Sequence, residues 1–171
     1  SKASSKDYVG TNTGYGKYHD MYECLSCHVL YMSPIDDALD QLCAEVVDED
    51  YLASWEERAL MFQEHLDEIK KYVTKGRLLD VGCYAGIFLN EAKKQNFDVV
   101  GIEPSTWAAE YARSKVGCLV YQGTLEKHEL PKGEFDIVTI WDVIEHLFDP
   151  KLSIEKAYDA LKIGGHIAIT T

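Results

Sequence analysis

Residues 77 to 103 constrain the fold more than any other stretch of the chain. Leu78, Leu79 and Val81 make a short apolar run suited to a strand buried on both faces. Gly82 and Gly86 bracket a turn in which the backbone can approach a ligand with no Cβ in the way. Ile87 to Lys94 has helical character, and a second apolar run from Phe97 to Ile102 ends at Glu103, 23 residues after Asp80. Strand, glycine turn, helix and strand in this order form a βαβ unit. Its closing carboxylate is placed to hold two ribose hydroxyls, so the stretch predicts a nucleoside cofactor.

The turn narrows the cofactor. A dinucleotide site needs G-x-G-x-x-G, which seats a pyrophosphate on the helix N-terminus. Here the pattern is Asp80-x-Gly82-x-x-x-Gly86, with Tyr84 where a middle glycine belongs. It resembles motif I of class I S-adenosylmethionine-dependent methyltransferases, whose usual form is L-D-V-G-C-G-x-G, and Tyr84 is the departure from it. The chemistry agrees, because a sulfonium cation and an amino-acid tail are favoured by a carboxylate such as Asp80, where phosphate is repelled.

Charge and length set limits. The 171 residues carry 17 Lys and Arg against 29 Asp and Glu, a net charge of −12, which disfavours phosphate backbones and anionic membranes. Nucleic acid and membrane partners are therefore not expected, whereas a small-molecule substrate is. No apolar run approaches the ~20 residues of a membrane span. Five scattered cysteines suit a reducing cytoplasm better than a disulfide framework.

Residues 1 to 20 are polar and glycine-rich and predict loop or weak hairpin. Cys24-x-x-Cys27 then has the spacing of half a zinc site, since structural zinc takes four ligands. The stretch Tyr22 to Pro34 resembles the second knuckle of a zinc ribbon that precedes some methyltransferase domains, with His28 for the usual glycine. The resemblance places the first knuckle upstream of Ser1. The bland alternative is a pair of metal-free thiols; His19, His28 or Cys43 are other candidates to complete a site.

Two helices should follow. Ile35, Ala38, Leu39, Leu42, Cys43 and Val46 share one stripe over 35–47, and Asp48 to Tyr51 read as a polar break. Ser54 is placed to cap a second helix whose Trp55, Ala59, Phe62, Leu66, Ile69 and Val73 share a stripe, with Gly76 ending it. In the resembled family a helix here lies across the sheet and sometimes closes over the cofactor. Tyr51 and Trp55 are thus either cofactor contacts or core.

Beyond Glu103, Pro104-Ser105-Thr106 starts a helix that Gly117 ends, and Cys118 to Tyr121 forms a third strand. Phe135 to Trp141 reads as a buried fourth strand, followed by a turn bearing Asp142, Glu145 and His146. Polar groups there stand where open α/β sheets bind ligands. This stretch resembles the family's F-D-x-V and E-H-x-x-D-P pattern, typical of the ubiquinone-biosynthesis type. Asp149-Pro150 begins a helix to about Leu161, and Lys162-Ile163-Gly164-Gly165 resembles the L-k-p-G-G turn before a fifth strand, with Ile163 for proline.

The resemblance implies an α/β, Rossmann-like, doubly wound and mostly parallel sheet, five strands in order 3-2-1-4-5, with the family's last strands lying beyond Thr171. The expected organisation is an extension over 1–34 (a partial zinc ribbon with Cys24 and Cys27 as ligands), a helical lead-in over 35–76 and a cofactor-binding core over 77–171. The implied cofactor is S-adenosylmethionine, met by Asp80, Gly82, Cys83, Tyr84, Gly86, Glu103, Pro104, Thr124, Leu125, Trp141 and Asp142. Of these, Thr124 and Leu125 stand where the family meets the adenine. Catalytic candidates are His146 and Asp142. His146 is either a base for an acceptor proton or a turn residue that shapes the pocket. An NAD- or nucleotide-sugar-binding Rossmann protein and a non-catalytic cofactor-binding module are the competing readings.

Overall fold

The computed structural model describes residues 20–33 and 47–171. The 35–47 stripe therefore lies almost wholly outside the described residues, as do His19 and Cys43. Strands β1 (Asp20–Glu23) and β2 (Leu30–Ser33) pair antiparallel as a hairpin with Cys24 and Cys27 in its turn. His28 adopts a positive φ of 60° there, its N–H donating to the Cys24 carbonyl at 2.8 Å, which is why glycine is common at that place in such turns.

Asp48 opens helix α1 (Glu49–Ala53), so the expected polar break is a short helix instead. The Asp48 carboxylate accepts the Tyr51 N–H at 3.0 Å. Helix α2 (Trp55–Ile69) follows. Ser54 stands at its N-cap position but does not cap through its side chain. Its hydroxyl donates to the Tyr51 carbonyl at 2.9 Å and accepts the Arg58 Nε–H at 2.9 Å. The helix also stops at Ile69, earlier than Gly76, and Val73 lies past its end. Gly76 begins the next strand at φ 140°; a Cβ there would overlap the Asp136 carboxylate, which accepts the Arg77 N–H at 2.7 Å.

The core alternates strand and helix. Strand β3 (Gly76–Val81) leads to α3 (Ile87–Lys94), β4 (Phe97–Glu103), α4 (Thr106–Val116), β5 (Leu119–Gln122), β6 (Phe135–Trp141), α5 (Pro150–Ala160) and β7 (Leu161–Thr170). The sheet order β5-β4-β3-β6-β7 is the expected 3-2-1-4-5 counted from β3, and all its pairings are parallel rather than mostly so. Helix punctuation matches the sequence: Ser105 caps α4 by accepting the Ala108 N–H, Gly117 ends it in the left-handed region, and Asp149 caps α5.

The three central strands β4, β3 and β6 are buried on both faces and are therefore almost continuously apolar, whereas edge strand β7 is largely exposed. Leu78, Val99 and Ile137 face α2, α3 and α4, where they pack with Phe62, Leu66 and Phe88. Leu79, Val81, Val100, Ile102 and Val138 face the other way, against Ala157 and Ala160 of α5. Alternation then puts Asp80, Glu103 and Thr139 on the α2–α3–α4 side. Between Phe135 and Ile137 the β6–β7 register jumps from Leu161 to His166, so Lys162 to Gly165 bulge outward with Ile163 fully exposed.

Candidate cofactor site

The register of the three central strands builds the site. Asp80 lies opposite Gly101 on β4 and Thr139 on β6. The Asp80 side chain is 2 % exposed, and its Oδ1 accepts the Thr139 hydroxyl at 2.7 Å. Burial raises its pKa to about 8; the Thr139 hydrogen bond opposes this, and the Glu103 charge adds to it. Thr139 was not among the expected site residues. Its signal was a lone hydroxyl in the apolar run Phe135 to Trp141, a group that must find a partner when buried.

Glu103 ends β4 with 5 % exposure. One carboxylate oxygen accepts the Tyr84 N–H at 2.8 Å and the other the Ser105 N–H at 2.8 Å. Burial pushes it up to about 7, against the pull of those two N–H groups. The structure thus joins Asp80, Tyr84 and Glu103 around one turn. Pro104 follows half-buried. The Gly123 N–H donates to the Glu103 carbonyl at 2.9 Å, which brings Gly123-Thr124-Leu125 beside the same strand end.

Packing against neighbouring elements also requires the turn's glycines. Gly82 sits at φ 71° with the space of its missing Cβ taken by Val143, whose Cγ2 would lie 2.5 Å away. Gly86 sits at φ 83°, and a Cβ there would meet Val116 and Ala112 of α4 at 2.9 and 3.0 Å. Both glycines make room for neighbouring protein. Cys83 likewise turns inward: its thiol is buried against Gly101, where a Cβ would come within 2.5 Å of Sγ, and burial holds its pKa well above the ordinary thiol value.

Leu125, Trp141 and Asp142 each have protein partners of their own. The Leu125 side chain is 1 % exposed in the α5-side core, so only its backbone can face a ligand. Trp141 packs inward, stacked on His65 at 4.7 Å and edge-on to Phe88 at 5.2 Å. With His65, Tyr72 and His166 it lines a groove of about 410 Å³ along β7. Asp142 is exposed at φ 53° and clasps the end of β7: its N–H donates to the Thr170 carbonyl at 3.2 Å, and its carboxylate accepts the Thr170 hydroxyl at 2.7 Å. His146 is exposed on a single 3₁₀ turn, Ile144–His146, beyond the C-terminal end of β6.

The lead-in reaches this site as well. The Tyr84 phenol oxygen accepts the Asp48 N–H at 2.7 Å, and its ring meets Tyr51 edge-on at 4.7 Å. Burial raises the Tyr51 pKa to about 12, with the nearby Arg58 opposing and Asp80, Tyr84 and Glu103 adding to the rise. Trp55 instead packs against the α2-side core, 6.4 Å from Tyr111.

At the hairpin, burial is slight and the Cys27 and Ser26 backbone N–H groups lower the Cys24 pKa. Among the described residues no group of three or more His, Cys, Asp or Glu side chains is placed to hold a metal ion. Two thiols fall short of the four ligands that a structural zinc takes. Also among the described residues, no helix is long and apolar enough to cross a membrane.

Comparison with known proteins decides what this geometry belongs to. A profile described as a methyltransferase domain matches residues 52–171. The chain belongs to the class I S-adenosylmethionine-dependent methyltransferase family. Over 101 residues the domain is 38 % identical to a ubiquinone biosynthesis O-methyltransferase of Aliivibrio fischeri, covering 56 % of this chain and 43 % of that one. The methyltransferase chain therefore spans less than half the length of the curated relatives it matches. A structure from Thermotoga maritima, described as a methyltransferase and possible histamine N-methyltransferase, superposes with a TM-score of 0.59 at 29 % identity, covering 71 % of this chain and 56 % of that one. A Haemonchus contortus phosphoethanolamine N-methyltransferase, solved with S-adenosylmethionine, superposes at 0.57 and 26 % identity, covering 63 % of this chain and 27 % of that one.

Proposed function

We propose that the protein transfers a methyl group from S-adenosylmethionine to a small-molecule acceptor. The observation that carries this reading is Glu103, a buried carboxylate at the end of β4 tied to the glycine turn through the Tyr84 N–H. Each of its oxygens accepts one N–H and keeps a second lone pair for a ribose hydroxyl. The second acid, Asp80, lies on the same side of the sheet; burial keeps it largely protonated in the empty site, and a cationic ligand would favour the ionised form, which repels a pyrophosphate. The curated relative's acceptor belongs to ubiquinone biosynthesis and the Haemonchus structure holds phosphomonomethylethanolamine in one complex; both are small molecules.

The donor's methyl carbon is already activated by its sulfonium, so the protein's task is alignment. Holding two reactants in line contributes about 7–11 kcal/mol. In this reading Glu103 holds the ribose, and the Thr124 and Leu125 backbone meets the adenine. Asp142 and His146 stand over the acceptor end, His146 taking a proton where the acceptor must lose one. Cys24 and Cys27 form one knuckle, half of a zinc site completed from outside the described residues.

Calorimetric titration with S-adenosylmethionine and S-adenosylhomocysteine, with NAD as control, tests the proposal. The expected result is micromolar binding that disappears in Glu103→Ala. Binding of NAD in preference to both, or binding that survives Glu103→Ala, overturns it.

A further inference from the structure

The Tyr84 side chain leaves the glycine turn toward the lead-in, whereas Cys83 turns in to Gly101. The Tyr84 backbone and ring serve different masters. The N–H donates to Glu103 at 2.8 Å, while the phenol oxygen accepts the Asp48 N–H at 2.7 Å and stands 3.5 Å from the Asp48 carbonyl. Tyr84 also sits at φ 45°, a left-handed conformation that an aromatic residue adopts at a cost.

What the phenol holds is the start of the lead-in. Asp48 is 5 % exposed and caps α1 through the Tyr51 N–H. The Tyr51 ring lies edge-on to Tyr84 at 4.7 Å, with the Arg58 guanidinium 3.8 Å from its centroid. Trp107 of α4 closes the row, 6.1 Å from Tyr84. Helix α1 is only five residues long, too short to be stable without such anchors. Tyr51 is thereby held one ring away from the turn whose N–H binds Glu103, on the side of the sheet that Asp80 and Glu103 face.

We propose that Tyr84 is a positioning residue that latches α1 over the cofactor cleft, so that the cofactor enters and leaves only when the Asp48 N–H lets go of the phenol oxygen. This rests on the cofactor reading above. The hydrogen bond is local and the helix short, so release needs no change in the sheet. The same bond is available after the cofactor has entered, so the latch governs rates more than affinity.

Tyr84→Phe tests this, because it keeps the ring and removes only the oxygen. The first readout needs no ligand: hydrogen exchange of the amides of residues 48–53 should speed up roughly three- to ten-fold, the value of one hydrogen bond. The second is stopped-flow binding of S-adenosylhomocysteine, in which association and dissociation should both rise by a similar factor with little change in Kd. Unchanged exchange removes the latch. Faster exchange with unchanged association removes the gate. If the wild-type chain takes no S-adenosylhomocysteine, the cofactor reading falls and the gate with it; wild-type binding with unaltered rates in the variant sinks the gate alone.

Discussion

The Thr139 hydroxyl donates to Asp80 across β6 and β3 at 2.7 Å, and both residues are almost fully buried. The contact exists because the parallel register sets these two residues side by side. Thr139→Val keeps the shape and deletes the donor, leaving a buried carboxyl with an unmet acceptor. Urea unfolding at pH 7 should show a loss of about 1–3 kcal/mol. A loss much smaller than that would mean the hydroxyl is not what satisfies Asp80.

Asp80 also sets a pH dependence. Its folded pKa is about 8, raised by burial from an ordinary 3.8, and Glu103 is raised in the same way to about 7 from 4.5. Between the ordinary and the raised values the folded state holds protons that the unfolded chain has lost, so stability falls as pH rises. This contribution is complete below about pH 4 and gone above about pH 8. The cofactor-free protein should therefore unfold at a lower urea concentration at pH 8.5 than at pH 5.5, and Asp80→Asn should narrow that difference. An equal difference in the variant would place the titrating group elsewhere.

Gly82 and Val143 tie the turn to the loop after β6. A Cβ at Gly82 would lie 2.5 Å from Val143 Cγ2, at φ 71°. Gly82→Ala should cost roughly 2–4 kcal/mol, part from left-handed backbone and part from overpacking. Adding Val143→Ala should recover the packing part and leave the backbone part. Thermal unfolding of the single and double variants separates the two.

Much of this architecture could be read in advance because its signals are local. The run Leu78 to Val81, the caps at Ser105 and Asp149, and the stop at Gly117 each act within a few residues, and each element lies where expected. The place of Glu103 at the end of β4 was readable from spacing alone. What escaped the sequence depends on packing across long separations. That Gly82 and Gly86 spare Val143 and Val116, that Cys83 faces Gly101, and that Trp141 turns in to His65 follow from which strands are neighbours. Asp48 reads as part of a polar break, yet it is buried, and Tyr84, 36 residues on, accepts its N–H.

His146 separates proton transfer from binding. It is exposed on the turn after β6, where its removal disturbs little packing. If it serves as the base, His146→Gln should lower kcat by about 10²-fold or more while the calorimetric affinity for S-adenosylhomocysteine stays within about two-fold, RT ln 2 being well under 1 kcal/mol. Equal losses in both would assign it to shaping the pocket.

Glu103 offers the sharpest test of the cofactor site, since its affinity signature runs opposite to its effect on stability. Ribose hydroxyls donate to a carboxylate more strongly than to a carboxylic acid, so binding favours the ionised form. With the free carboxyl titrating near 7, cofactor affinity should rise from pH 6 to pH 8 and level off above. Binding should release a proton near neutrality, visible as a dependence of calorimetric heat on buffer ionisation enthalpy. Glu103→Gln keeps a hydrogen-bond acceptor and removes the titration, so its affinity should be weaker, by about 1–3 kcal/mol at pH 8, and flat with pH. A pH slope that persists in Glu103→Gln would move the titrating group to Asp80, whose folded value lies nearby, and the Asp80→Asn variant would then be the one to flatten it.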